Sequence, residues 1–502
     1  MSQIRKKSIL ASIWIYIGFL IGALNTYFLT HKNGFSTDQN GLTRSMIEIS
    51  QLIFAFSCLG TPTFIFKFLP YYEDNLPTKK NDILGLSLLI AIFGFIFTAF
   101  GFYLLEPIVI RKFSLHSQLL VDFYFWILPM GFLVLLYNIL DAYSIGKEMG
   151  VLSSMLKETV LRLYTLVIII LKILGFISFT TFIKLFSVQY LLILTTLVIL
   201  LKIENKLFLS FKISKVTIKY RKKILSILAL TLFSIIVTVL RQSIDGLVLA
   251  AKQNLGKVGI FGLASYMVSI IQVPSRGLIA ITYPILSRSW KDKNLGEIHR
   301  IYKRSSINLL CYSLFFFFCI WLNFENGLQV LNINSEYLEG KWVFFMLGIV
   351  TIIELGTGVN GQIITTSNYW TFELWTSLLL TLLIIPLSYF LTVKYGILGP
   401  AIANLFSFSI YNIIRILFLW KKFRMQPFTS KTIEIIAIAL ISYFVSYTLF
   451  KNISGLWGIT GRSIVFISLY SVGVYYRKIS PDVMPIINNL KKRMGIKEHT
   501  II

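Results

Sequence analysis

The sequence predicts an all-α polytopic membrane protein with about fourteen transmembrane helices. Of its 502 residues, 56% are hydrophobic and only 14% are charged, and the mean hydropathy is +0.75, which is too apolar for a soluble protein. About fourteen apolar runs approach the roughly 20 residues that a helix needs to cross a bilayer. These runs are apolar on every face, whereas the strands of membrane barrels alternate apolar and polar residues. Helices are therefore the only predicted spanning elements.

The predicted spans leave no loop long enough for a soluble domain. The first run follows Arg5, Lys6 and Lys7, as in a secretory signal peptide, but it is too long and no small-residue cleavage site follows it. We therefore interpret it as a spanning helix. In chain order the predicted spans are 8–30, 42–68, 83–105, 119–143, 155–176, 179–201, 224–250, 258–284, 305–324, 342–366, 372–393, 397–420, 431–450 and 457–476.

The positive charge lies mostly in alternate loops. The chain has 48 Lys and Arg against 22 Asp and Glu, and basic loops tend to stay in the cytoplasm. The number of predicted spans is even and both ends of the chain lie on the basic side. Both termini are therefore predicted to be cytoplasmic. The cluster from Lys215 to Lys223 is interpreted as an anchor against anionic lipid headgroups rather than as a nucleic-acid contact, so no nucleic acid is expected as a partner.

The same basic stretch divides the first twelve helices into two sets of six. The phrase G-I-x-G-x-A occurs at Gly259–Ala264 and again at Gly396–Ala401. Close helix packing explains such small residues, and their recurrence also hints at internal duplication. The predicted organisation is an amino-terminal lobe with helices 1–6 at 1–205, a basic cytoplasmic linker at 206–223, a carboxy-terminal lobe with helices 7–12 at 224–425, and helices 13–14 with a basic cytoplasmic tail at 426–502.

A few charged residues lie inside the apolar runs, where a charge is costly and usually has a partner or faces a cavity. Arg241 and Asp245 stand one helical turn apart in the seventh span, so they form either a self-neutralising pair or part of a site. Arg276 follows Pro274 in the eighth span and has no carboxylate at helical spacing. It therefore either reaches the inner interface or binds a partner elsewhere or an anionic ligand.

Further polar residues suggest a basic cavity. Arg44 and Glu48 are four residues apart, as are Glu158 and Arg162, and Asn25 has in the first span the depth that Arg241 has in the seventh. Arginine matches the geometry of phosphate, and a lone carboxylate suits Na⁺ or a proton. The predicted residues for an anionic headgroup are Arg241, Arg276, Arg44, Asn25 and Arg415, and those for a coupling ion are Asp245, Glu48, Asp141 and Glu354.

Catalytic signatures are absent from the sequence. The four histidines have no metal-ligand spacing and there is no Walker A loop, so no enzyme activity, metal or cofactor is expected besides a coupling Na⁺ or H⁺. Gly356–Gly361 fits G-x-G-x-x-G, but it lies inside an apolar run, which indicates tight packing or a locally unwound helix. A membrane polysaccharide polymerase or ligase would need acids in an external loop, where Glu336 and Glu339 form the one close pair.

Two segments resemble a known family. The stretch from Gly259 through Tyr266, Pro274, Pro284 and Trp290–Lys293 to Ile301–Lys303 resembles the eighth helix and following loop of Wzx-type oligosaccharide flippases of the polysaccharide biosynthesis family. Tyr395–Ala403 resembles another segment of that family. The likeness in layout covers the whole chain, while the specific motifs cover a small part of it.

The resemblance implies membership of the multidrug/oligosaccharidyl-lipid/polysaccharide (MOP) superfamily, with two six-helix lobes in a V shape, two further C-terminal helices and alternating access. It implies a flippase of the bacterial cytoplasmic (inner) membrane that moves an undecaprenyl-pyrophosphate-linked oligosaccharide, such as an O-antigen unit of lipopolysaccharide, to the outer leaflet. Other polysaccharide assembly proteins would be partners. Arg276 would match a cavity arginine of related lipid II flippases, whereas Asn25 replaces their first-helix arginine. A cation-coupled multidrug exporter of the same superfamily, a membrane polysaccharide polymerase or ligase and a scaffold protein remain alternatives.

Overall fold

The computed structural model describes residues 2–479, except for the side chains of residues 2–12 and 280. Helices account for almost all of this part of the chain. The predicted all-α fold class is confirmed. Short 3₁₀ turns cover Thr78–Lys80, Tyr124–Trp126 and Ser335–Gly340, and a π-helical turn covers Leu156–Val160. The helices are α1 Ser2–Thr30, α2 Thr37–Ser57, α3 Thr61–Asn75, α4 Ile83–Phe113, α5 Gln118–Asp122, α6 Ile127–Gly146, α7 Gly150–Met155, α8 Leu161–Ile173, α9 Phe179–Ser187, α10 Tyr190–Ile203, α11 Lys215–Lys252, α12 Leu255–Lys291, α13 Leu295–Val330, α14 Lys341–Gly356, α15 Asn360–Thr366, α16 Trp370–Tyr395, α17 Leu398–Phe423, α18 Ser430–Leu449 and α19 Gly455–Tyr476.

The number of spans differs from the predicted fourteen. Within residues 2–479, 11 helices are long and apolar enough to cross a membrane, or up to 13 if each of two bent pairs is one span. The predicted span 155–176 is missing from this set because Lys157, Glu158 and Arg162 make the helical segment 150–173 too polar, although α7, the π-helical turn and α8 follow one another without a break. The predicted spans 42–68 and 342–366 correspond to the bent pairs, with angles of 50° and 48°.

Both bends lie where the backbone adopts a left-handed conformation. Between α2 and α3, Leu59 and Gly60 have φ values of 45° and 78°. Between α14 and α15, Gly358 has a φ of 64°, which glycine adopts without steric cost. The helix is therefore unwound within Gly356–Gly361, and the predicted local unwinding of this motif is confirmed.

Contacts group the chain into two units, Met1–Gly262 and Leu263–Ile502. In the first unit, α2 packs on α4, α6 and α11, and α1 packs on α7, the π-helical turn and α8. In the second unit, α13 packs on α14, α18 and α19, while α14 and α16 pack on α17. The basic residues of Lys215–Lys223 form the first turns of α11, and α11 lies with the first unit. The predicted lobe boundaries and V shape stay predictions, and the basic tail at 480–502 lies outside the described residues.

Candidate functional site

Glu48 lies at the centre of a polar contact in the first unit. The predicted pair with Arg44 is formed, with Nε 2.8 Å from Oε1 and side-chain exposures of 28% for Arg44 and 12% for Glu48. The second carboxylate oxygen of Glu48, Oε2, is buried and has no hydrogen-bond donor within the described chain. Asp245 on α11 is close enough to interact electrostatically with Glu48. Glu48, one of the predicted ion-coupling residues, thus has a buried oxygen left to bind a proton or a cation.

Glycines let α11 and α12 approach this carboxylate closely. A Cβ atom on Gly246 would lie 1.9 Å from Oε2 of Glu48, and one on Gly262 would lie 2.9 Å from Nη1 of Arg44. Gly262 belongs to the first G-I-x-G-x-A phrase, so helix packing is confirmed as its role. In the second phrase, Gly396 ends α16 with a φ of 58°, and Gly399 lies against the backbone of that helix. The shared sequence therefore serves two different contacts, and internal duplication stays a prediction.

Arg241 and Arg276 are the predicted arginines without a neutralising partner. Arg241 is half-buried on α11 and Arg276 is exposed on α12. Within residues 2–479 neither guanidinium has an ion pair or a hydrogen bond, so the self-neutralising pair of Arg241 with Asp245 is not formed. Two cations inside predicted spans are thus available to an anionic ligand.

A cavity of about 570 Å³ lies between α12 and α13 in the second unit. Leu278, the first residue of its lining in chain order, is two residues after Arg276. Its polar lining includes Arg300, Arg304 and Asn308, with Glu297 as the one acid in the lining. Glu297 forms an ion pair of 2.9 Å with Arg300. The basic residues therefore outnumber the acids in this cavity.

Arg415 is neutralised inside the second unit. It is only 8% exposed, its Nε donates to Oε2 of Glu373 at 3.0 Å, and its Nη2 donates to Oε1 of the same carboxylate. Its Nη1 donates to Oδ1 of Asn360 at 3.3 Å, and its Cζ lies 3.8 Å from the ring centre of Tyr411. The guanidinium predicted to bind a headgroup thus joins α15, α16 and α17.

The unwound segment between α14 and α15 has its polar groups satisfied from neighbouring helices. Nδ2 of Asn360 donates to Oδ1 of Asn412 at 3.1 Å, and Oγ1 of Thr357 donates to the same oxygen at 3.0 Å. The backbone N–H of Val359 donates to Oγ of Ser305 at 3.3 Å. Unwound backbone at membrane depth is stable only when protein groups or water satisfy it, so this network holds the break in place.

Residues of the family-like motif at the end of α12 and in the first turns of α13 support the same break. The indole Nε1 of Trp290 donates to the carbonyl oxygen of Ile363 in α15 at 3.0 Å. Tyr302 is fully buried in one hydrophobic cluster with Val359 and Ile364. The motif that resembles flippases therefore surrounds the short helix α15.

Asn25 is buried against the π-helical turn and α8. Its Nδ2 donates to the carbonyl oxygen of Arg162 at 2.9 Å, so its side chain points towards α8. Arg162 forms the predicted ion pair with Glu158, at 2.6 Å, and its Nη1 donates to the carbonyl oxygen of Gly18 at 2.8 Å. Oγ1 of Thr159 donates to the carbonyl oxygen of Trp14, also at 2.8 Å. Three hydrogen bonds thus fix α1 to the π-helical turn and to the start of α8. A π-helical turn is a type of distortion that is frequent at functional sites.

Replacing Gly18 with alanine is expected to weaken this contact. A Cβ atom on Gly18 would lie 2.1 Å from the carbonyl oxygen of Glu158, so α1 must shift and stability should fall by roughly 1–3 kcal/mol. The matched control is Gly101→Ala on α4, where no atom lies within 4 Å of the added Cβ. The control should be neutral or slightly stabilising because alanine favours the helix. Thermal unfolding in detergent measures both, and equal midpoints for the two variants would contradict the close contact.

The remaining predicted carboxylates already have contacts. Asp141 on α6 accepts a hydrogen bond from the Ser153 hydroxyl of α7, and the Tyr137 hydroxyl donates to the Ser153 carbonyl oxygen at 3.1 Å. Glu354 is half-buried on α14 and has interactions of its own. No group of three or more His, Cys, Asp or Glu side chains within the described residues has the arrangement of a metal site.

Comparisons with known proteins bear on this architecture. No protein-family model matches the sequence. An uncharacterized membrane protein of Methanocaldococcus jannaschii is 23% identical over 528 aligned positions, which cover 97% of this chain and 99% of that protein. The lipid II flippase MurJ, in an inward closed conformation, matches with a TM-score of 0.73 at 16% identity, over 94% of this chain and 99% of its own.

The chain has the fold of MurJ. An inward-facing multidrug resistance MATE family transporter of the MOP superfamily matches as well, with a TM-score of 0.61 at 13% identity, over 82% of this chain and 98% of its own. The protein is thus a multi-pass membrane protein with a fold that MurJ and MATE transporters share. Because one fold serves several functions, the substrate has to be argued from the site.

Proposed function

We propose that this protein is a flippase that moves an oligosaccharide linked to undecaprenyl pyrophosphate from the cytoplasmic to the outer leaflet of the cytoplasmic membrane for surface polysaccharide biosynthesis. The observation that carries the proposal is the likeness to a lipid II flippase along 94% of the chain. The partnerless guanidinium groups of Arg241 and Arg276 support it. A charge at membrane depth is costly, and pyrophosphate offers the oxygens that arginine binds best.

In the proposed cycle the pyrophosphate docks on Arg241 and Arg276. The sugars enter a water-filled cavity while the polyprenyl chain stays in the lipid, and the site then opens to the other side. Glu48 supplies the ion site, because its free oxygen Oε2 can take a proton or contribute to Na⁺ binding beside Asp245.

A cation-coupled multidrug exporter is the second candidate. The likeness to a MATE transporter, with a TM-score of 0.61, favours it, and so does the buried carboxylate of Glu48. An exporter of cationic drugs needs an acidic, aromatic-lined cavity. The basic residues that line the cavity between α12 and α13 favour an anionic substrate instead.

Depletion of the protein in its native cells separates the two functions. For the flippase, a lipid-linked oligosaccharide should accumulate on the cytoplasmic leaflet, and surface glycan should fall while drug sensitivity is unchanged. A plasmid copy of the wild-type gene restores the glycan as the control. Unchanged glycan together with increased accumulation of cationic dyes would favour the exporter and contradict the proposal.

A further inference from the structure

The middle of α3, around Lys67, and the basic N-terminal turns of α11 line a second cavity, of about 580 Å³, within the first unit. Its lining includes Lys67, Lys222, Lys223, Tyr71 and Tyr220, and none of the described residues that line it is a carboxylate. The ring centres of Tyr71 and Tyr220 lie 5.9 Å apart. The cavity therefore combines three cations with an aromatic wall.

Hydrogen bonds hold the two helices that form this cavity. Ser214 caps α11, and its backbone N–H donates to Oδ2 of Asp82 at 2.9 Å. Thr217 in the first turn donates to the same carboxylate oxygen at 2.7 Å, and its Oγ1 lies 2.7 Å from the hydroxyl of Tyr72 on α3. The shape of the cavity is thus set by the packing of α3 on α11, which these hydrogen bonds hold in place.

The lysines of this cavity are not neutralised by the protein. Within residues 2–479, Lys67, Lys222 and Lys223 have no ion pair with a carboxylate. Glu73, which follows on α3, is occupied by an ion pair with Lys147. Nζ of Lys223 lies 5.8 Å from the ring centre of Tyr220. Three like charges around one cavity attract an anion with several acceptor oxygens.

The position of the cavity along α11 indicates what kind of anion it holds. Lys222 and Lys223 are the last residues before the apolar run that begins at Ile224, and the lining continues to Ile227 and to Phe68 on α3. The charged group of a ligand here lies among the lysines and tyrosines at the border of the apolar run. Its apolar part lies against the apolar residues of α3 and α11. A phospholipid has this arrangement of charged and apolar parts.

We propose that this cavity binds the phosphate of an anionic bilayer phospholipid, with its acyl chains against the apolar faces of α3 and α11. The site is separate from the arginines assigned to the translocated substrate, so it does not depend on the proposed function. Free inorganic phosphate presents the same chemistry without the acyl chains and is the alternative source to be distinguished.

Native mass spectrometry of the full-length protein tests this assignment. The protein is titrated with phosphatidylglycerol and, separately, with phosphatidylcholine of equal chain length. The variant Lys67→Gln/Lys222→Gln/Lys223→Gln should bind phosphatidylglycerol roughly tenfold or more weakly than the wild type. The matched control, Lys79→Gln/Lys80→Gln/Lys212→Gln, removes three exposed lysines from the predicted cytoplasmic side that do not line the cavity, and it should stay within about twofold of the wild type.

Three outcomes would overturn the assignment. They are equal loss of phosphatidylglycerol binding in both triple variants, wild-type binding in the cavity variant, and equal binding of phosphatidylcholine. Competition with inorganic phosphate decides the source of the phosphate. Retention of the lipid at an excess of inorganic phosphate supports a phospholipid site, whereas its displacement at inorganic phosphate concentrations below about 1 mM would assign the cavity to free phosphate.

Discussion

Arg415→Ala is expected to lower the free energy of unfolding by about 3–5 kcal/mol, because it leaves the Glu373 carboxylate buried without its partner. Arg415 is 8% exposed and holds Glu373 through two nitrogen atoms. The guanidinium also donates to Asn360 in the short helix after the break in the tenth predicted span. Thermal and chemical unfolding in detergent measure the loss.

A double-mutant cycle separates the buried pair from general damage. Arg415→Ala/Glu373→Ala should cost clearly less than the sum of the two single variants, because removing both partners leaves no isolated charge. The matched control is the exposed pair of Arg477 with Glu434, which has a similar distance of 2.9 Å and an arginine that is 63% exposed. Arg477→Ala should cost at most about 1 kcal/mol. Equal losses for Arg415→Ala and Arg477→Ala would show that the buried network contributes little.

Arg241→Ala and Arg276→Ala are each expected to reduce surface glycan by roughly tenfold or more at normal protein levels, since each removes a charge-assisted contact with pyrophosphate worth about 1.5–3 kcal/mol. The lysine variants should retain part of the activity, because they keep the charge but lose the bidentate geometry. Quantitative labelling measures the surface glycan, and immunoblots measure the protein level.

Arg288→Ala is the control for this series. Arg288 is 86% exposed near the end of α12 and lies 3.8 Å from Asp292, so its removal should leave surface glycan unchanged. If Arg241→Ala and Arg276→Ala cells match the Arg288→Ala cells in glycan and in protein level, the two arginines do not bind the substrate.

Local spacing predicted the contacts that form within one helix. The pairs of Arg44 with Glu48 and of Glu158 with Arg162 follow from side chains four residues apart on one face, and both are present. The glycines of Gly356–Gly361 likewise predicted the unwound segment. Spacing alone was insufficient for Arg241 and Asp245, because the contacts of each side chain with other helices decide whether such a pair closes.

Contacts between distant parts of the chain were not predictable. Glu373 is 42 residues from Arg415, and only the packing of α16 on α17 brings them together. Arg415 was therefore predicted to bind an anionic headgroup, and Glu373, Asn360 and Asn412 were left out of the candidate site. The π-helical turn was missed for a similar reason, since its hydrogen bond with α1, from Thr159 to Trp14, joins residues 145 positions apart.

Translocation by the purified protein in liposomes tests the central claim most directly. The substrate is a fluorescent oligosaccharide on undecaprenyl pyrophosphate, and loss of its protection from a membrane-impermeant glycosidase reports its transfer between leaflets. The flippase proposal predicts transfer by the wild type and by Arg288→Ala, and strongly reduced transfer by Arg241→Ala/Arg276→Ala. Liposomes in which the wild-type protein transfers no more lipid-linked oligosaccharide than protein-free liposomes would contradict it.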